Sequence, residues 1–208
     1  MTVLFPNTIY NPDGGRFGLG TITGLPFDGD VSSKFGVVGD IPAHSKGHNG
    51  TDIAAPLGTP LLAPCDLLVT DIFSLAITST NPMFAQIKKW FGNCVFATIG
   101  LQDGTGYRVM FAHLKDPPLV SEGEAVEAGV KIGEVGSTGL STGAHLHFVL
   151  GPLENRWLGR NNGNVEFLDY CASPDDAPEP EDGDDLLKAL IEAGAAIEKA
   201  TKLAIRGR

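Results

Sequence analysis

The segment STGAHLHFVL occupies residues 141–150 and places two histidines, His145 and His147, one residue apart in an otherwise apolar run. The whole chain has 5 histidines, so this short segment holds a large share of them. Side chains alternate between the two faces of a strand, and residues i and i+2 therefore project to the same side. The segment predicts a buried strand that presents both imidazoles to one small patch.

Around this segment, short apolar runs separated by glycine extend from about residue 31 to residue 170. The runs are LLAPCDLLVTDIF (61–73), NCVFATIGL (93–101), YRVMFAHL (107–114) and AHLHFVLG (144–151). Strands of this length with turn signals between them predict a mainly β fold, built as an antiparallel β-sheet or sandwich.

One segment interrupts the strands. TNPMFAQIKKWFGN, residues 80–93, carries Met83, Ile87 and Trp90 at helical spacing, with Gly92 as a stop signal. We predict a short inserted helix here. Its role is either packing against the core or forming the wall of a groove.

Composition divides the chain into four parts. Residues 1–30 are rich in Gly, Pro, Asn and Asp and predict an irregular N-terminal arm with short strands at most, whereas residues 31–172 form the folded domain. Residues 173–185, SPDDAPEPEDGDD, combine seven acidic residues with three prolines and predict a linker, because so polar a segment buries too little apolar surface to order itself. Residues 186–208 predict an amphipathic C-terminal helix, with acids at its start and arginines at its end.

Three roles are open for the C-terminal helix. It packs on its own domain, docks on another protein, or associates with copies of itself through a seam of small residues. Four charged residues argue against a membrane span, namely Lys188, Glu192, Glu198 and Lys199.

Charge and cysteine content narrow the function classes. The formal net charge is −10 at pH 7, which argues against nucleic acid and anionic membranes as partners. The first residues lack the basic and apolar regions of a secretory signal peptide, so we expect none. The three cysteines, Cys65, Cys94 and Cys171, lie far apart and are interpreted as buried or reduced thiols rather than as disulfide or metal ligands.

A second segment supplies the partners of the histidine pair. GHNGTDIAAPLGTP, residues 47–60, contains His48 in a turn and Asp52 at the start of a predicted strand. Alone, His48 is a polar loop residue, but together with Asp52 and His147 it completes a set of two imidazoles and one carboxylate that suits zinc. Three protein ligands leave a fourth position open, which is typical of a catalytic site.

Two further imidazoles are available for chemistry. Zinc lowers the pKa of its bound water to about 7 and polarises a carbonyl, but amide hydrolysis also needs a proton shuttle and a stabiliser of the oxyanion. His145 shares a strand face with His147, and His113 ends another predicted strand. Both are candidates for these roles.

The ordered motifs resemble the lysostaphin/LytM-type zinc metallopeptidases, a family of peptidoglycan endopeptidases. The matching blocks are SKFG (33–36), HNGTDIAAPLGTP (48–60), FAHL (111–114), EGEAVEAGVKIGEVGSTG (122–139) and STGAHLHF (141–148). The resemblance covers about residues 31–150. It implies the lysostaphin-like, duplicated-hybrid-motif fold, with an open groove that crosses one zinc ion per chain and binds the peptides of the bacterial wall.

Carried over by position, the family's zinc ligands fall on His48, Asp52 and His147, and its non-ligand catalytic histidines fall on His113 and His145. His44 matches no family position and is interpreted as a loop residue. Asn49 and Asn93 are weaker candidates for substrate contacts. The insertion at 80–93 is longer and more aromatic than the family pattern, so cleavage specificity does not transfer with the resemblance.

Three functions compete. The first is a zinc endopeptidase that cuts peptidoglycan cross-links. We expect it to be made in the host cytoplasm and carried on a phage virion or tail that acts at the host cell wall. A free lytic enzyme is the alternative to this mode of delivery. The second is a structural or wall-binding component of a larger assembly with little or no hydrolytic activity. The third, a zinc peptidase of protein substrates, is disfavoured because no HExxH motif is present.

Overall fold

The computed structural model describes residues 4–38, 46–100, 106–156, 158 and 163–174. Twelve strands are formed in this part of the chain: β1 (Phe5–Asn11), β2 (Thr21–Gly24), β3 (Gly29–Ser33), β4 (Thr51–Ala54), β5 (Pro60–Leu62), β6 (Leu67–Phe73), β7 (Asn93–Gly100), β8 (Gly106–Leu114), β9 (Ala125–Val126), β10 (Lys131–Glu134), β11 (His145–Pro152) and β12 (Cys171–Ala172). The helix α1 spans Pro82–Phe91, and a single turn of 3₁₀ helix spans Phe167–Tyr170.

Ten of the strands form one sheet in the order β12-β1-β2-β3-β4-β11-β8-β7-β6-β9, and β10 pairs with β5 in a separate ribbon. The neighbouring strands pair antiparallel except β1 and β12, which run parallel. The predicted mainly β, antiparallel fold is therefore confirmed. The strand that carries the two histidines, β11, lies between β4 and β8 near the middle of the sheet.

Both faces of the sheet around β11 are covered. Alternate residues such as Leu146 and Phe148 pack into the larger core, whereas Val149 joins a second cluster with Phe96 and Met110 on the opposite face. A strand buried on both faces carries an almost continuous apolar sequence, as HLHFVLG does. His147 lies on the face of Val149, because residues two apart share a side.

The predicted inserted helix is confirmed as α1. The side chain of Asn81 accepts a hydrogen bond from the Met83 amide at its start, and the helix ends at Gly92, whose φ is 65°. Positive φ strains residues other than glycine. Ile87 is buried in the second cluster, and Phe91 packs against that cluster from the end of the helix. Thus α1 covers the sheet face on which His147 lies.

Residues 4–30 are more regular than the predicted irregular arm with short strands at most. They contribute β1 and β2 to the main sheet, and the Phe5 side chain is fully buried, with its ring centroid 5.8 Å from that of Phe148. Leu4, Phe5, Ile22 and Phe27 lie in the core, because glycine and proline turns return the chain to the sheet. The composition of this segment did not predict its contribution to the sheet and the core.

The chain divides into two units, Met1–Asp175 and Asp176–Arg208. The second unit lies outside the described residues, so the C-terminal helix at 186–208 and nearly all of the acidic linker at 173–185 stay predictions. Within the described part of the chain, no helix has the length and apolar character needed to cross a membrane.

Candidate metal centre

Strand pairing brings two of the three predicted ligands together. In the register of β4 with β11, Asp52 is the direct partner of His147, and Ala54 is the partner of His145. His48 approaches from the turn that precedes β4, and its side chain is buried. Among the described residues, His48, Asp52 and His147 form a group able to hold a metal ion.

The candidate ligand atoms lie close to tetrahedral spacing. The Nε2 atom of His48 lies 3.1 Å from Nδ1 of His147 and 3.2 Å from Oδ1 of Asp52, and Nδ1 of His147 lies 2.8 Å from the same oxygen. A tetrahedral zinc ion with bonds of about 2.0–2.2 Å holds its ligand atoms about 3.3 Å apart. Movements of a few tenths of an ångström would make the three atoms fit zinc.

The other nitrogen of His48 is fixed by the strand before it. Nδ1 of His48 lies 3.0 Å from the carbonyl oxygen of Lys34 and 3.2 Å from the hydroxyl of Ser33. A carbonyl only accepts, so Nδ1 carries the proton of the neutral ring and Nε2 presents its lone pair to the metal position. The SKFG block at 33–36 thus orients a ligand, a role that its sequence did not predict.

The charges of the ligand set suit a divalent cation. Burial raises the pKa of Asp52, but the contacts of its carboxylate with His147 and then His48 outweigh this effect and hold the pKa well below its ordinary value. Burial lowers the pKa of His147, although its hydrogen bond to Asp52 acts in the opposite direction. Metal binding needs an ionised carboxylate and a neutral imidazole, and the site favours both.

A bulge turns His113 toward the metal position. From Val95 to Asn93, β7 advances two residues, whereas its partner strand β8 advances three, from Phe111 to Leu114. Regular alternation would direct residue 113 to the sheet face opposite His147. Instead the φ of His113 is 63°, a value uncommon outside glycine, and bulges re-aim side chains in this way.

The re-aimed imidazole lies beside the two histidines of β11. The ring centroid of His113 is 4.7 Å from that of His145 and 5.7 Å from that of His147. Nε2 of His145 lies 3.6 Å from Oδ1 of Asp52. Four imidazoles therefore surround one carboxylate, and the two that were predicted to act in catalysis lie next to the predicted ligands.

Each of these two histidines is tied through Nδ1 to a backbone carbonyl. His113 donates to the carbonyl of Thr138 at 2.7 Å, and His145 donates to that of Gly143 at 2.8 Å. The neutral rings consequently carry their protons on Nδ1, and Nε2 is left able to accept a proton. Burial lowers the pKa of His113 to about 3, with the neighbouring histidines adding to the effect.

Two contributors to the site were not predicted as such. Phe91, at the end of α1, stacks on the ring of His147 with an interplanar angle of 19° and a centroid distance of 5.7 Å. Thr138 provides the carbonyl that holds His113. The aromatic character of the 80–93 insertion was a signal for Phe91, but a backbone carbonyl leaves no signature in a sequence.

The weaker candidates have structural contacts. The Asn93 side chain is buried and binds the backbone of Leu75 and Leu114, and the Asn49 amide donates to the Leu158 carbonyl at 2.8 Å. These contacts connect loops and strands, so the substrate contacts suggested for both asparagines are not supported. His44 lies outside the described residues.

Comparison with known proteins agrees with this geometry. The profile of peptidase family M23 matches residues 46–157. The peptidoglycan DD-endopeptidase ShyA of Vibrio cholerae is 37% identical over 103 residues, which cover 50% of this chain and 20% of that protein. The DD-carboxypeptidase/endopeptidase Mpg of Neisseria meningitidis serogroup B is 36% identical over 120 residues, 57% of this chain and 23% of that protein.

A solved structure shares the fold. The catalytic domain of the antimicrobial peptidase lysostaphin from Staphylococcus simulans superposes with a TM-score of 0.50 and 24% identity, covering 68% of this chain and 91% of that domain. This likeness supports the lysostaphin-like fold. The chain matches only about a fifth to a quarter of the length of the two curated relatives.

Proposed function

The chain belongs to peptidase family M23, a family of metallopeptidases, and on that premise we propose that it is a zinc endopeptidase that hydrolyses peptide cross-links of bacterial peptidoglycan. The observation that carries the proposal is the group of His48, Asp52 and His147 with two further imidazoles beside it. The relatives named as acting on peptidoglycan support this substrate class, and their DD-endopeptidase activity favours a cross-link that contains a D-amino acid.

In this proposal His48, Asp52 and His147 hold the metal. When bound, zinc supplies a Lewis acid that activates water and polarises the scissile carbonyl. The ionised Asp52 neutralises part of the metal charge. The carbonyl of Lys34 accepts the proton of Nδ1 of His48, so the lone pair of the neutral ring lies on Nε2, the nitrogen that would hold the metal.

His113 transfers protons at the scissile bond, and His145 stabilises the negative charge that develops on its carbonyl oxygen. The Nδ1 proton of His113 is held by the Thr138 carbonyl, so that Nε2 is the nitrogen placed to take a proton and later to give it to the leaving amine. His145 lies near Asp52, with its Nδ1 proton held by a carbonyl. Its Nε2, once protonated, stabilises negative charge on the carbonyl oxygen.

The direct test is mass spectrometry of fragments released from purified peptidoglycan. We expect release of a defined fragment from walls with direct D-amino-acid cross-links, and loss of this release on addition of a chelator. Walls with glycine bridges serve as the alternative substrate, and His113→Ala serves as the inactive control. No release from either wall by the zinc-loaded protein would overturn the proposal and favour a structural or wall-binding role.

We propose further that the domain is carried to the wall on a phage particle, with the C-terminal helix docking on another protein or on copies of itself. The acidic linker and the amphipathic pattern of residues 186–208 support this tethering role. Antibodies against the folded domain should label the tails of purified particles in electron micrographs. Recovery of the protein only in the particle-free lysate would contradict it and indicate a free lytic enzyme.

A further inference from the structure

The neighbourhood of Thr138 connects the inserted helix to the histidine that lies on the bulge. The carbonyl of Thr138 accepts the Nδ1 proton of His113 at 2.7 Å. Its hydroxyl donates to the carbonyl of Leu114 at 2.7 Å and accepts from the amide of Asn93 at 3.0 Å. Thr138 therefore binds the imidazole of His113, the strand β8 that carries it, and the backbone that follows α1.

Close backbone packing limits movement of Thr138. A Cβ atom added to Gly92 would lie 2.3 Å from the hydroxyl oxygen of Thr138, and one added to Gly139 would lie 2.4 Å from the Gly92 nitrogen. The amide of Leu140 also donates to the carbonyl of Trp90 at 3.0 Å. The loop that leads into β11 is thus seated on the end of α1, and no side chain separates the two backbones at these glycines.

His113 needs this support because its backbone conformation is unfavourable. The φ of His113 is 63°, a strained value for a residue other than glycine, and such a conformation persists only where the surrounding structure over-determines it. Bulge geometry sets the direction of the side chain, but the ring still rotates about its own bonds. The hydrogen bond to Thr138 is the contact that fixes which nitrogen faces the site.

We propose that the Thr138 hydroxyl is a positioning group for His113: it fixes the Thr138 carbonyl and, through it, the orientation and tautomer of the imidazole. This inference rests on the proposed function, in which His113 transfers protons. It gives α1 a role beyond packing, since the Asn93 amide that follows the helix is one of the two partners of the hydroxyl.

The test compares Thr138→Val, which keeps the shape and removes the hydroxyl, with Thr138→Ser, which keeps the hydroxyl. Thr59→Val is the matched control, because it removes a similar hydroxyl-to-carbonyl bond at a site formed by other elements. On a soluble cross-linked peptidoglycan dimer we expect kcat of the valine variant to fall about ten- to a hundredfold, with KM and bound zinc unchanged. The serine variant should recover most of the activity.

A second readout is independent of turnover. In ¹⁵N-labelled protein, the imidazole of His113 should show the Nδ1-protonated tautomer in the wild type and in Thr138→Ser, and a mixture of tautomers in Thr138→Val. Equal kcat and an equal tautomer signal in the valine and wild-type proteins would overturn the inference. An inactive wild type would refute the proposed function instead, and the tautomer signal alone would then decide the role of Thr138.

Discussion

His147 and Asp52 are direct partners on the antiparallel strands β11 and β4, with Nδ1 of the histidine 2.8 Å from Oδ1 of the aspartate. The relative position of these two candidate ligands is therefore set by the register of β4 with β11. The buried apolar residues of the two strands fix this register. A slip of one residue would send either side chain to the opposite face. The metal site and the core are specified together.

Replacing Asp52 should remove the metal. Asp52→Asn keeps the size of the side chain but lacks the charge that balances the cation, so we expect bound zinc, measured by elemental analysis after gel filtration, to fall well below one ion per chain. Asp116→Asn, which alters a surface carboxylate paired with Lys115, should retain its zinc. Full occupancy of Asp52→Asn would exclude Asp52 from the ligand set.

The two remaining imidazoles should behave differently from the ligands. His113→Gln and His145→Gln are expected to retain zinc and to lose activity by about 10²–10⁴-fold, the usual contribution of a positioned acid or base. Fragment release and metal content measured on the same samples separate the two effects. If either variant lost its zinc, that histidine would have to be reassigned as a ligand.

Phe91 should influence metal affinity without contacting the metal. Nε2 of His147 is buried and has no hydrogen-bond partner in the described part of the chain, so the stack with Phe91 supplements the contact of Nδ1 with Asp52 in restraining the ring. We expect Phe91→Ala to weaken zinc binding about tenfold in a competition titration with a chelating dye.

Phe84→Ala is the control for the Phe91 variant. The Phe84 ring packs on Phe73, with centroids 4.4 Å apart, and its removal also weakens the attachment of α1. If both variants lost the same thermal stability and the same zinc affinity, the effect would be one of helix packing rather than of the stack on His147.

Acid should destabilise the metal-free protein through His113. Its pKa is near 6.5 in an unfolded chain and about 3 in the folded one because of burial, so the unfolded state binds an extra proton between these values. The contribution of His113 to the free energy of unfolding is fully present above pH 6.5. It is lost as the pH falls from 6.5 toward 3, by at most about 1.4 kcal/mol per pH unit. The free energy of unfolding, measured by urea titration at several pH values, should fall less steeply with decreasing pH in His113→Gln than in the wild type. Parallel plots of this free energy against pH would refute the lowered pKa of His113.

The cysteines should react slowly in the folded protein. Burial and the nearby charge of Asp66 raise the pKa of Cys65 to about 12, and burial raises the pKa of Cys94 and of Cys171 above its ordinary value. Because the thiolate is the reactive form, alkylation at pH 8 should be slow in native protein and should reach three groups after unfolding. Rapid labelling of any one cysteine before unfolding would contradict this expectation.

Sequence alone predicted the parts of the site that follow from local periodicity. The two histidines of β11 share a face through strand alternation, and Asp52 was placed at the start of a strand. His113 was a candidate from the sequence, but its direction was not predictable, because alternation alone points it to the other face and the bulge depends on the partner strand. Thr138 acts through its carbonyl and a tertiary contact, which no local pattern encodes.

The parallel pairing of β1 with β12 has a consequence for protein engineering. Phe5 is the register partner of Cys171, and the amide of Leu4 donates to the carbonyl of Tyr170, so the two ends of the folded unit are neighbours at one edge of the sheet. Four strands lie between β12 at that edge and β11, a separation of about 24 Å at the usual strand spacing. A short peptide joining these ends would close the backbone into a ring, and new termini opened in a distant surface loop would give a circular permutant with the five site residues in place.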